Sequence, residues 1–115
     1  MNLPDLEPDE RVALVGLVLS IVDADNSKSE AEMEEFRAIA AEVGRREFDE
    51  AFRRAKTSLT TLDEVITFAT EKVTRPGARE MIRTVLLDLA SADFISDDER
   101  SIIDRISDAW GMSSK

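Results

Sequence analysis

Apolar residues recur along this chain at helical spacing, most densely near the start. Val12, Leu14, Val15, Leu17, Val18, Leu19, Ile21 and Val22 cover nearly the whole circumference of a helix predicted over Pro8–Asp23. A helix apolar all round belongs at the centre of a bundle. Pro8 suits a first-turn position, and Asp9 and Glu10 complement the positive end of the helix dipole. The later segments carry one apolar stripe each. Met33, Phe36, Ile39, Ala40 and Val43 stripe a second helix that stops at Gly44. Phe48, Ala51, Phe52 and Ala55 mark a short third helix, and Leu62, Val65, Ile66, Ala69 and Val73 a fourth. After the break at Thr74-Arg-Pro-Gly, a fifth runs from Pro76 to Ser91 with Met81, Ile82, Val85, Leu86, Leu87 and Leu89. Ile102, Ile103, Ile106 and Trp110 line a sixth, which ends before Gly111.

The helix starts carry a second signal. Ser29 with Glu32, Thr61 with Glu64 and Ser96 with Glu99 each have capping-box spacing. In such a box the hydroxyl accepts from the amide three residues on, and the carboxylate accepts from the cap's own amide. Strand signals, by contrast, are missing: Asn-Gly turns and β-branched runs are absent. The expected fold is all-α, a single-domain helical bundle of about six helices spanning residues 1–115.

Two stretches repeat one another. Ser29 and Ser96 are 67 residues apart, as are Glu32 and Glu99, Ile39 and Ile106, and Gly44 and Gly111. Ahead of the loop the offset is 68, pairing Ile21 with Leu89, Ala24 with Ala92 and Asp25 with Asp93. Apolar periodicity would align any two amphipathic helices. The joint register of Ala-Asp, capping Ser, Glu and terminal Gly is harder to produce by chance, and it points to two helix–acidic loop–helix units, about 9–44 and 77–111.

Composition narrows the function. The 25 acidic residues outnumber the 15 Lys and Arg, a net charge of −10. Such a surface repels phosphate backbones and anionic membranes, so neither nucleic acid nor a membrane is an expected partner. Cations, or a basic face on a protein partner, suit it better, although the charge can also serve only solubility. The chain has no Cys and no His, which excludes thiolate and imidazole chemistry and leaves only oxygen ligands for a metal. The longest apolar stretch, Val12–Val22, covers 11 residues, short of the roughly 20 that a bilayer span requires. Residues 1–10 hold four acids and no Lys or Arg, unlike a secretory leader, so a cytoplasmic location is expected.

The pattern Ala-Asp-x-x-x-Ser-x-x-Glu after an apolar helix, present near both ends of the chain, resembles the tellurite-resistance TerB-like family. The usual family loop reads roughly Ala-Asp-Gly-x-Ile-Ser-x-x-Glu. Here the first copy has Asn26 for Gly and Lys28 for the apolar residue; the second has Phe94 for Gly and is one residue shorter. The resemblance implies an all-helical fold, a role in stress response and a divalent-metal site at the two acidic loops. Its candidate ligands are Asp25, Glu32, Asp93 and Glu99, with Asp23 or Asp88 as further donors. A hard cation such as Ca²⁺, Mg²⁺ or Mn²⁺ suits oxygen ligands. The first loop also partly matches an EF-hand, with Asp23, Asp25, Ser27 and Ser29 at ligand positions and Glu34 at the twelfth. Lys28 stands where that loop needs Gly, and the second copy lacks the spacing.

Capping alone accounts for the two Ser-x-x-Glu boxes, and Asx turns for Asp25 and Asp93, without any metal. Two readings follow: a non-catalytic module that binds a divalent cation and engages a protein partner, or a metal-free helical adaptor. A metal-dependent hydrolase would need three or more convergent carboxylates. Two other features invite placement in the fold. One is Asp88, inside a largely apolar helix; the other is the basic group Arg45, Arg46, Arg53, Arg54 and Lys56.

Overall fold

The structure, a computed structural model, describes residues 2–24, 30–91 and 96–112. After a single 3-10 turn at Leu3–Asp5 come six helices: α1 Pro8–Asp23, α2 Glu30–Val43, α3 Arg45–Ser58, α4 Leu62–Lys72, α5 Pro76–Ser91 and α6 Asp97–Ala109. The all-α expectation holds, and the helix boundaries fall within a residue or two of those read from periodicity.

α1 is the central helix, with α3, α4, α5 and α6 packed around it. Every residue from Val12 to Val18 is buried, as are Ile21 and Val22. Burying a side chain of this size contributes about 1.5–3 kcal/mol, so this one element anchors the fold. Its apolar belt is nevertheless open in one place, for Leu19 and Ser20 are only half-buried. The one-sided helices bury part of each predicted stripe in the core, Ile39 and Val43 from α2, Val65 and Ala69 from α4, Ile82, Leu86 and Leu89 from α5, and Ile102, Ile103 and Ile106 from α6, while Met33, Phe36, Ile66 and Val85 stay half-buried at its edge. An aromatic stack joins α2 to α3, with Phe36 edge-on to Phe48 at 5.5 Å and Phe48 stacked on Phe52 at 6.4 Å.

The caps follow local chemistry. At α4, Thr61 Oγ1 accepts from the Glu64 amide at 3.2 Å, while the Glu64 carboxylate accepts from the amides of Thr60 and Thr61. At α6, Ser96 Oγ accepts from the Glu99 amide at 3.1 Å and Glu99 Oε1 from the Ser96 amide at 3.0 Å. Ser29, the third predicted cap, lies outside the described residues. Gly44 is the only residue between α2 and α3, with φ +113°, and Gly111 follows α6 at φ +70°. Side chains with a Cβ rarely tolerate such backbone, which is why glycine stands at both positions.

Glu10 has a larger part than its first-turn position suggests. Its carboxylate is buried and takes a two-pronged ion pair from Arg75, between α4 and α5, with Nε at 2.8 Å from Oε2. It also accepts from the Glu7 amide at 2.7 Å, closing the start of α1. The buried indole of Trp110 donates to the Ala69 carbonyl at 3.1 Å and ties the end of α6 to α4. The two proposed repeat units are packed differently: α5 lies along α6, whereas α2 rests on α3, α5 and the N-terminal turn. Among the described residues no helix is long and apolar enough to cross a membrane.

Candidate functional site

Of the four candidate ligands, Asp25 and Asp93 lie outside the described residues. Glu32 and Glu99 lie inside them and share an environment. Glu32 is in the first turn of α2 and Glu99 in the first turn of α6, each just after an acidic loop, and they are 2% and 0% exposed. Few glutamates are so thoroughly removed from water.

Capping explains only half of Glu99. Oε1 is used by the Ser96 amide, but Oε2 is buried with no hydrogen-bond partner among the described residues. A buried acceptor left bare costs about 1–3 kcal/mol, and more when it is charged. The cost would be removed by a ligand that offers positive charge to that oxygen, and a hard cation is the natural complement of such a donor. The chemistry of the donor set therefore fits the cation that the loops suggest. It is incomplete on its own: among the described residues no three Asp or Glu side chains converge, so a closed coordination shell needs residues beyond them.

The secondary donors separate. Asp23 is exposed at the last turn of α1. Asp88 faces solvent, lining a small recess of about 260 Å³ between α2 and α5 together with Glu35 and Glu42. Its place inside an apolar helix therefore carries no burial cost. Arg45, Arg46, Arg53, Arg54 and Lys56 are all exposed on α3; Arg54 pairs with Asp9 at 3.0 Å and Lys56 lies over the Phe52 ring at 5.9 Å.

A second feature had no clear signal in the sequence. A groove of about 610 Å³ opens between α1, the end of α3, the start of α4 and α6. Gly16, Leu19, Leu59, Leu62, Val65 and Ile102 form its apolar lining. The opening in the α1 belt at Leu19 and Ser20 is this groove. The one hint in the sequence was Gly16, in the middle of an otherwise continuous apolar run, and a Cβ there would meet Val65 Cγ1 at 3.3 Å and Leu59 Cδ1 at 3.4 Å.

In comparison with known proteins, the family model described as tellurite resistance protein TerB matches residues 11–115. No curated protein and no solved structure matches.

Proposed function

The chain belongs to the TerB family, and from that premise we propose that it is a non-catalytic binding module, a single domain that holds a divalent cation at its two acidic loops and engages a protein partner in stress response. The observation that carries the cation is the buried Oε2 of Glu99, which has no hydrogen-bond partner among the described residues. Asp25, Glu32, Asp93 and Glu99 would hold the ion, and Ca²⁺, Mg²⁺ or Mn²⁺ would supply positive charge to carboxylates that burial otherwise penalises. The partner is favoured by the strong negative charge, which suits a basic protein face and disfavours nucleic acid and anionic membranes.

Calorimetric and thermal-shift titration of the chain with each metal tests the reading. Binding should raise the melting temperature, since a ligand that prefers the folded state stabilises it by mass action. Glu99→Gln keeps a side chain able to complete the capping box but removes the charge. Its metal-free form should melt at or above the wild type, and its response to metal should shrink. An unchanged wild-type melt at millimolar metal removes the cation from the proposal. The metal-free adaptor is the second reading, favoured by the Ser96/Glu99 capping box, which by itself accounts for the place of Glu99 at the start of α6. It predicts identical melting with and without chelator.

A further inference from the structure

α2 is held on the molecule differently from the other helices. Whereas α3, α4, α5 and α6 pack on α1, the main contacts of α2 are with α3, α5 and the N-terminal turn. Its apolar stripe is buried in part: Ile39 and Val43 are sealed, and Met33, Phe36 and Ala40 are half-buried. At its C-terminal end a single residue, Gly44, separates it from α3. The φ of +113° there is open to glycine at little cost, and a residue of such freedom can absorb the rotation of one helix against the next.

The turn that covers α2 belongs to residues 2–7. Leu3 and Leu6 are 3% and 1% exposed, although they stand in a short segment ahead of the first long helix. Leu3 lines the recess between α2 and α5 with Ile39, Met81 and Val85, so it fills the seam between a peripheral helix and a core one. Polar contacts fix the segment. The Asn2 amide donates to Asp5 Oδ2 at 2.8 Å, Arg75 Nη2 donates to the Asp5 carbonyl at 3.4 Å, and the Glu7 amide donates to Glu10. Arg75 therefore grips the segment while its ion pair with Glu10 holds the start of α1.

We infer that residues 2–7 act as a strap over α2, and that strap and α2 release together as one unit, pivoting at Gly44 while α1, α3, α4, α5 and α6 stay folded. The reason is how the buried surface is shared. Leu3 needs both walls of the seam, so moving α2 strips Leu3 of cover, and moving the strap opens Ile39 to water. Neither loss touches the apolar belt of α1 on which the other four helices rest. Proteins open locally in cooperative units of this kind, and those with few buried apolar side chains open at the lowest free energy. Release also takes Glu32, 2% exposed in the first turn of α2, out of its buried place. The strap is thus a control point: an interaction that draws Leu3 and Leu6 away sets α2 free and uncovers Glu32. The inference depends neither on a bound cation nor on the partner half of the proposed function.

Native-state hydrogen exchange of the isotope-labelled full chain, in urea too dilute to unfold it, tests this. The amides of α2 should exchange together, through an opening less sensitive to urea than the one that exposes α1, α5 and α6, because it uncovers less surface. Leu3→Ala should speed exchange throughout α2 about tenfold or more, the scale of a lost buried leucine. The core amides should quicken with it, since the strap is also lost when the whole chain unfolds. Ile106→Val is the contrasting variant, for Ile106 is buried in α6 and stays buried while α2 is open. It should speed exchange in α1 and α6 by about threefold or more and leave α2 unchanged. Amides of α2 that share the rates and urea sensitivity of α1, that ignore Leu3→Ala, or that quicken with Ile106→Val each overturn the strap. So does an α2 that exchanges turn by turn from its end rather than as a unit.

Discussion

Glu10 shows how one residue's surroundings set its energetics. The hydrogen bond from Arg75 holds its carboxyl below the usual carboxylate value of 4.5, against the opposing effect of burial, and the Glu7 amide adds to the lowering. The Arg75 guanidinium is correspondingly raised. A carboxyl with a lowered folded pKa contributes stability above its unfolded pKa and loses it as pH falls through the folded value. Arg75→Ala leaves the Glu10 charge buried without its partner. The variant should be less stable at neutral pH, by less than a fully buried pair would lose, because Arg75 itself is 40% exposed. The gap between wild type and variant should narrow as pH falls below 4.5, the value of Glu10 in the unfolded chain, and close as pH passes the lower folded value. Urea unfolding at pH 7 and pH 3 measures both; a gap of equal size at the two values refutes the assignment.

At the level of the helix, starts and stops are governed by interactions that reach one turn. Thr61 and Ser96 satisfy amides that the first turn leaves open, and Gly44 lets α2 end and α3 begin across a single residue. Gly44→Ala should cost about 1–2 kcal/mol, because its φ of +113° strains any residue with a Cβ. The added Cβ would also lie 2.5 Å from Glu47 Oε1, though that carboxylate can swing away. Thermal unfolding followed by the emission of the single, buried Trp110 gives the readout. An unchanged midpoint would mean that the linker relaxes to another backbone conformation.

Across the molecule, α1 is the core element on which α3, α4, α5 and α6 pack. Leu17 is fully buried at its centre, so Leu17→Ala should cost about 2–5 kcal/mol, the range for a buried leucine whose cavity only partly collapses. Since α3, α4, α5 and α6 all pack on α1, the loss should appear as a lower midpoint of one cooperative transition rather than as local fraying. Far- and near-ultraviolet dichroism should give the same midpoint; separate transitions would show that the outer helices hold together without the centre.

The number of helices, their ends and their apolar stripes were all legible in the sequence, as the burial of Ile39 and Ile106 and the caps at Thr61 and Ser96 illustrate. Periodicity, capping and glycine backbone conformation act within a turn or two, so neighbouring residues suffice to specify them. Leu19 was indistinguishable from Leu17 by pattern, yet one lines a groove and the other is sealed inside, because that depends on where α4 and α6 come to rest. Glu10 read as a dipole-facing acid until the fold brought Arg75, 65 residues away, onto it. Glu32 and Glu99 both read as capping acids, a local role that the structure describes at Ser96 and Glu99; the burial of the two carboxylates is not local. Burial, ion pairing across the chain and the shape of a groove depend on elements distant in sequence, and only their packing together sets how much water each side chain keeps.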